Sequence, residues 1–559
     1  MAGYTAHADS FARDHLPPRE QWPDLVFSLP ELRYPDRLNA AVELIDRHVR
    51  EGRGERTALV SPADRWSYAE LLERVNRIAR VLVDDFGLVP GERVLLRAAN
   101  NPMMAALHFA VLKAGGIVVA TMPLLRAQEL RYIIAKARIR IAVSDARLMD
   151  EIEKARAAAP GLDHVLAFGS GRPDGLEARM SRASTDFPAV DTAAEDVGLI
   201  AFTSGTTGVP KGTMHFHRDL LAVCDTYGAH VLRPEPDDRV IGSPPLAFTF
   251  GLGGLVLFPF RVGASSVLLE KATPDDLLPA FETYRPSVCF TAPTGYRAML
   301  GKLDSFDVSS LRTCVSAGEA LSRATWEAWF AKTGIRILDG IGSTEMLHIF
   351  IGAPVEAIRP GATGLAVPGY EAKVIDERGQ ALPPGRMGRL AVRGPTGCRY
   401  LADERQRTYV QDGWNVTGDT YVMDEDGYFW YQARSDDMIV SAGYNIAGPE
   451  VEAALLTHPA VAECGVVGAP DDERGQIVQA YVVAHPDFEP GPALAKTLQE
   501  HVKAAIAPYK YPRAVTFMPS LPRTGTGKLK RYELRRMAEA AARTAAQAAE
   551  RTLETGDRA

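Results

Sequence analysis

Apolar positions recur along this chain with two different periods. From Tyr68 to Asp85 (YAELLERVNRIARVLVDD) they fall every three or four residues, which predicts a helix with one buried face. A Gly-Leu-Val-Pro-Gly break follows, then the short apolar run ERVLLRA, which predicts a strand. NPMMAALHFAVLKAGG predicts a second helix and IVVATM a second strand. This rhythm implies parallel sheets that bind ligands at the ends of their strands. It recurs at SVLLE, SVCFTA and LRTCVSAG, each followed by a helical stretch, and no repeat of fixed period accompanies it. From Gly369 to Trp430 the chain turns strand-rich and turn-rich, predicting a β subdomain. After Arg434-Ser435-Asp436-Asp437 comes an α+β unit of about one hundred residues. It holds the helices GPEVEAALLTHP and LAKTLQEHVKAAI and the strands ECGVVGAP and IVQAYVVAH, and an Ala-rich charged helix closes the chain.

Length and composition narrow this picture. The 559 residues predict three or four units, or one large α/β body with a smaller partner. At 46% hydrophobic and 24% charged, the chain is an ordinary globular one. The formal charge of −7 argues against a nucleic-acid partner, because such proteins carry a basic footprint. The long uncharged stretch Val240–Phe260 is interrupted by Pro244, Pro245, Gly251, Gly253, Gly254 and Pro259. It therefore predicts a buried, turn-rich segment rather than a membrane span. Cys224, Cys289, Cys314, Cys398 and Cys464 are scattered and form no CxxC pair, as expected in a reducing cytoplasm. The first residues, MAGYTAHADSFARDHLPP, have no apolar core of a signal peptide.

The strongest chemical signal is the run from Ile200 to Gly212, IAFTSGTTGVPKG. An apolar strand enters a loop of glycines and hydroxyls that ends in Lys211. Glycines let backbone N–H groups approach an anion, hydroxyls add donors and the lysine adds charge, which together suit a polyphosphate. A Walker loop needs glycine before its lysine and Ser or Thr after it; here Pro210 and Gly212 stand there. Gly251-Leu-Gly-Gly and Gly340-Ile-Gly-Ser likewise lack the last glycine of a dinucleotide fingerprint.

This loop resembles the signature of the adenylate-forming superfamily of acyl-CoA synthetases, luciferases and peptide-synthetase adenylation domains. Five further segments resemble its motifs in order: Ser316-Ala317-Gly318-Glu319, Gly340-Ile341-Gly342-Ser343-Thr344-Glu345, Trp414-Asn415-Val416-Thr417-Gly418-Asp419, Arg434-Ser435-Asp436, and Pro522-Arg523-Thr524-Gly525-Thr526-Gly527-Lys528. The resemblance implies an α/β fold with a large N-terminal domain over residues 1–434, made of two parallel-type βα subdomains and a β subdomain. It implies a small mobile α+β C-terminal domain over 435–541 and a helical tail over 542–559. It also implies an ATP/AMP site of Thr203, Ser204, Gly205, Thr206, Thr207, Gly208, Lys211, Gly318, Glu319, Ala320, Asp339, Gly340, Ile341, Ser343, Thr344, Asp419, Arg434 and Lys528. Glu345 would hold Mg²⁺, Asp419 both ribose hydroxyls, and Lys528, Thr203 and Glu345 would be catalytic. Asp436 would be the hinge, and Ser441, Gly443 and Tyr444 would line the CoA channel.

Within the superfamily the chain resembles the benzoate-CoA ligase group, through Met346-Leu-His-Ile-Phe350 and Ala247-Phe-Thr-Phe-Gly-Leu-Gly253. Its N-terminal runs Tyr4-Thr-Ala-His and Asp14-His-Leu-Pro-Pro-Arg-Glu-Gln-Trp-Pro23 resemble 2-aminobenzoate-CoA ligases. The implied aryl acid pocket comprises Phe248, Thr249, Phe250, Gly251, Ala317, Ile341, Gly342 and His348, with 2-aminobenzoate expected first and benzoate or a hydroxybenzoate next. A planar acid wants a flat aromatic slot, and Thr249 or His348 is placed to pair an ortho substituent. His215-Phe216-His217 shows no third ligand at metal-site spacing and reads as structural. Monomer and homodimer both stay open, as do an adenylation enzyme that loads a carrier protein and a non-catalytic nucleotide binder.

Overall fold

The computed structural model describes residues 3–159, 161–203, 210–434, 437–441, 444–471, 474–523 and 528–556. The chain divides into two compact units. The first is Met1–Leu321 with Thr325–Ala372 and Ala391–Thr417; the second is Ser322–Ala324 with Lys373–Leu390 and Gly418–Ala559.

Two sheets build the first unit. One has six strands in the order His164–Phe168, Ile141–Asp145, Arg93–Arg97, Ile117–Thr121, Val197–Thr203 and Lys211–Phe216. All neighbours are parallel except the last pair. The other has nine strands. Its centre is parallel: Thr57–Val60, Ser265–Val267, Arg239–Gly242, Val288–Thr291, Thr313–Ala317 and Ile337–Gly342. Antiparallel strands close both ends, Arg65–Ser67 at one and Ile349–Gly352 with Leu365–Ala366 at the other. The expected helices form, and local caps start them. Ser67 and Glu70 make a capping box at the start of Tyr68–Arg80, whose Leu71, Val75 and Ile78 are buried. Asn101 caps Pro102–Lys113, with Pro102 in the first turn.

The stretch from Val240 to Phe260 differs from expectation. After a turn at Pro244 and Pro245 it becomes helical, through Thr249–Leu252, Gly253–Leu257 and Phe258–Val262. Its glycines serve close packing rather than turns. A Cβ on Gly253 would lie 2.3 Å from His348 Cδ2, and one on Gly254 2.6 Å from Phe290 Cδ1. Leu257 and Phe258 both keep helical backbone, so the helical course runs on into Pro259 rather than starting there. Among the described residues no helix is long and apolar enough to cross a membrane. All five cysteines are buried and free.

The β-rich stretch forms Glu371–Ile375, Met387–Arg393, Val410–Gln411, Trp414–Met423 and Phe429–Arg434. Further on in the second unit, a five-stranded sheet joins Tyr444–Ile446, Ile439–Ser441, Gly475–Ala484 and Val461–Asp471, with Ala514–Phe517 parallel to Gly475–Ala484. Gly448–Leu455 and Pro492–Ala505 cover one face of it through Val451, Leu455, Leu498 and Val502. Arg531–Gly556 covers the other through Leu534 and Ala538.

Candidate active site

The strand Val197–Thr203 and its antiparallel neighbour Lys211–Phe216 pair so that Thr203 stands opposite Lys211. The loop of the phosphate motif therefore leaves and returns at one point. Ser204, Gly205, Thr206, Thr207 and Gly208 lie outside the described residues. Thr203 Oγ1 is buried and has no hydrogen-bond partner among the described residues. Such a hydroxyl is open to a ligand oxygen.

Lys211 is tied into a buried cluster. Its Nζ donates to the Tyr400 hydroxyl at 2.7 Å and stands 3.5 Å from Glu345 Oε1. Tyr400 in turn donates to the same carboxylate oxygen. The ammonium also lies 4.6 Å from the ring centroid of Tyr400 and 5.8 Å from that of Tyr409, and Tyr409 OH is 3.3 Å from Ser343 Oγ. Glu345 is only 7% exposed, so it is no solvated strand-end carboxylate. A carboxylate this deep needs a counter-charge and donors, and Lys211 and Tyr400 supply them. Burial, then the neighbouring Cys398 and Glu345, push the Tyr400 phenol well up, so it stays a proton donor.

Glu345 sits on the turn between Ile337–Gly342 and Ile349–Gly352. Gly340 faces Gly352 and Ile341 faces Ile351 across that hairpin. A Cβ on Gly342 would come within 2.6 Å of the His348 carbonyl, so the close pairing needs glycine there. Ser343 Oγ accepts from Met346 N at 3.2 Å. The Thr344 carbonyl accepts from Leu347 N at 3.2 Å and from His215 Nε2 at 2.8 Å. Leu347, buried, has φ +70°, a left-handed conformation that a bulky L residue holds only where its surroundings impose it. On the other side, Thr313–Ala317 places Ala317 opposite Gly340 and Ser316 opposite Asp339. The chain then leaves through Gly318 at φ +91°, followed by Glu319 and Ala320. Ser316 Oγ and Asp339 Oδ1 are both buried and, among the described residues, neither meets a partner at ordinary hydrogen-bond geometry. Burial raises the Asp339 pKa to about 8 against the opposing pull of Ser316 and the Gly340 backbone. Its carboxyl is therefore largely protonated at neutral pH.

The aromatic segment meets the end of that turn. Phe248 is half-buried and begins the helix; Thr249 is buried in its first turn. Gly251 must be glycine, because a Cβ would lie 2.1 Å from the Pro245 carbonyl oxygen. The Phe250 ring is 5.7 Å from both Phe290 and His348. Phe258, edge-on at 4.5 Å, and Tyr227 at 5.5 Å complete the aromatic surround of His348. Among the described residues neither ring nitrogen of His348 makes a well-aligned hydrogen bond. Burial lowers its pKa to about 3, against a weak contrary pull from the Phe250 backbone, so the imidazole is neutral.

In the second unit, Asp419 and Arg434 face each other across an antiparallel pair, with Arg434 Nη1 3.5 Å from Asp419 Oδ1. Gly418, at φ +78°, leaves room for that guanidinium. Ser441 is buried and pairs with Tyr444 and Gly475. Arg523 bridges Leu529, and Lys530 N donates to the Pro522 carbonyl at 2.9 Å, closing the base of the last loop. Lys528 is exposed at that base. Asp436, Gly443, residues 524–527 and the Tyr444 side chain lie outside the described residues.

The model of the family "AMP-binding enzyme" matches residues 45–400, and that of the "AMP-binding enzyme C-terminal domain" matches 450–528. A benzoate–CoA ligase of Thauera aromatica is 36% identical over 90% of this chain and 97% of its own length. The crystal structure of an anthranilate CoA ligase in complex with anthranoyl-AMP superposes with a TM-score of 0.88 at 36% identity, covering 92% of this chain and all of that one. A benzoate CoA ligase from Burkholderia xenovorans gives a TM-score of 0.82 at 33% identity, over 89% of this chain and all of that one. The chain thus belongs to the AMP-binding enzyme family of adenylate-forming proteins, in its benzoate-CoA ligase group of AMP-forming acid–thiol ligases.

Three residues of this cluster carry no motif signal. Tyr400 and Tyr409 lie in the segment read only as strand-rich and turn-rich, and His215 reads as structural. The one available hint was Lys211 itself, since a lysine heading a buried strand requires a partner.

Proposed function

We propose that the protein joins an aryl carboxylate, 2-aminobenzoate by preference, to CoA, with release of AMP and pyrophosphate. His348 supports this reading most directly. It is a neutral imidazole with open hydrogen-bonding capacity set among Phe250, Phe258 and Tyr227. An aromatic slot takes a planar ring, and an open imidazole takes an ortho amine that plain benzoate lacks. The anthranilate CoA ligase among the similar structures points the same way.

In the first half-reaction a carboxylate oxygen attacks the α-phosphorus of ATP, and the bond to pyrophosphate breaks. Like charges meet, so positioning and electrostatic compensation do the work. Thr203 Oγ1 and Lys211 would donate to phosphate oxygens, Asp419 would accept from the ribose hydroxyls with Arg434 beside it, and Lys528 would bridge the approaching oxygens. Glu345 is a hard oxygen donor next to the phosphate loop, which fits Mg²⁺ held by one carboxylate together with substrate phosphates. Bound there, the ion supplies Lewis-acid neutralisation of phosphate charge. In the second half-reaction the CoA sulfur attacks the acyl carbon and AMP leaves. A thiol cannot enter where Lys528 stands, so the 435–541 domain would turn about Asp436 and bring Ser441, Gly443 and Tyr444 to the site.

An AMP-release screen tests the reading: CoA with 2-aminobenzoate, benzoate, hydroxybenzoates, phenylacetate and fatty acids, repeated with a carrier protein in place of CoA. Aryl acids should lead, and 2-aminobenzoate should exceed benzoate in kcat/KM. A preference for fatty acids, or turnover with the carrier protein alone, would overturn it.

A further inference from the structure

We infer that His215 is a positioning residue for adenylation: through the Thr344 carbonyl it fixes the turn that carries Glu345. The inference rests on the functional reading above. Lys211 and His215 belong to one strand, Lys211–Phe216, and, four residues apart, project from the same face of it. The two side chains reach successive residues of one turn in the other sheet. Lys211 meets the Glu345 carboxylate, and His215 Nε2 donates to the Thr344 carbonyl at 2.8 Å. That same carbonyl closes the turn by accepting from Leu347 N, where the backbone is left-handed. A strained turn needs an external anchor to keep one geometry, and His215 provides it.

Behind the imidazole lies a buried ion pair. Asp219 Oδ2 lies 3.7 Å from His215 Nδ1, accepts from Phe216 N at 2.9 Å and pairs with Arg399. His215, Asp219 and Arg399 are all fully buried. Burial alone would raise the Asp219 pKa, but Arg399 and then His215 hold it below the ordinary carboxylate value, so the pair keeps its charges. Arg399 also donates from Nε to the Met214 carbonyl at 3.3 Å and lies 4.0 Å over the Phe216 ring. Because the Thr344 carbonyl can only accept, the ring carries its proton on Nε2, while Nδ1 has no hydrogen-bond partner among the described residues. Residues that orient the groups around a metal commonly change its affinity by about 10–100-fold when altered.

Three variants separate anchoring from packing. His215→Gln sets an amide N–H near the place of Nε2, His215→Asn sets it near Nδ1, and His215→Met fills the space without a donor. The measurements are pyrophosphate release against ATP concentration, calorimetric ATP affinity with Mg²⁺ and with EDTA, thioester formation from a supplied acyl-adenylate, and thermal melting. The Gln variant should stay within about threefold of the parent in kcat/KM for ATP. The Asn and Met variants should lose about 10–100-fold, with the gain in ATP affinity from Mg²⁺ reduced to match. Thioester formation should change less than about twofold in all three, since that step uses neither the triphosphate nor its ion. Should His215→Met fail to fold, the Gln–Asn contrast carries the test. Equal behaviour of Gln and Asn, or an unchanged Mg²⁺ gain in every variant, overturns the inference. If the parent binds Mg²⁺-ATP but activates no aryl acid, the functional reading fails while the calorimetric contrast still decides the role of His215.

Discussion

Two lysines follow glycine-rich loops in this protein, and their surroundings are opposite. Lys211 is enclosed, hydrogen-bonded to Tyr400 and paired with Glu345. Lys528 stands exposed at the base of its loop in the second unit. Lys211 belongs to a fixed cradle, whose geometry is set when the chain folds. On the mechanism proposed above, a cation required in only one half-reaction would not be built in that way, because it would block the other.

The sharpest way to break this comparison is Lys528→Ala. Adenylation should fall about 10³-fold, as for loss of a main charge-stabilising group, while thioester formation from supplied acyl-adenylate persists and the melting temperature holds. Equal loss in both half-reactions would remove the contrast. Glu345→Gln should come next, lowering adenylation about 100-fold and weakening its dependence on Mg²⁺ concentration, as read from initial rates. Lys211→Met should lose about tenfold in kcat/KM for ATP and, unlike Lys528→Ala, about 2 kcal/mol of stability in denaturant titration, because it leaves a buried carboxylate with Tyr400 but no counter-charge. The smallest effects concern pH. His348, with its pKa near 3 in the fold, takes up a proton on unfolding below the ordinary histidine pKa of about 6.5, so it makes stability fall as pH drops from there. His348→Phe should remove about one proton, roughly 1.4 kcal/mol per pH unit, from that slope. Asp339, near 8 in the fold, releases a proton on unfolding above about 4, so it makes stability fall as pH rises. Asp339→Asn should therefore change the slope in the opposite sense.

Much of this architecture was legible because the code is local. Apolar runs such as RVLLR and SVCFT announce parallel strands, and apolar positions every three or four residues from Tyr68 announce a helix. The motifs that carry the family resemblance were legible for the same reason, being contiguous. The wiring behind them was not. Tyr400 meets Lys211 and Glu345 from a distant segment, and His215 meets Thr344 across two sheets. Such pairs leave no spacing pattern in one sequence. The Thr249–Val262 helices misled for a physical reason: glycines at 253 and 254 look like turn formers until His348 and Phe290 are seen filling the space a Cβ would need.

Trp22 bears on how far this protein can be shortened. Its ring lies 5.4 Å from the Arg399 guanidinium and 5.6 Å from Phe216, while its indole N–H donates to the Pro17 carbonyl. The family match begins only at residue 45. A version trimmed to that limit would keep every nucleotide-site motif yet strip the roof from a permanent core charge, letting water in behind the strand that bears His215. The leading segment is foundation, not overhang.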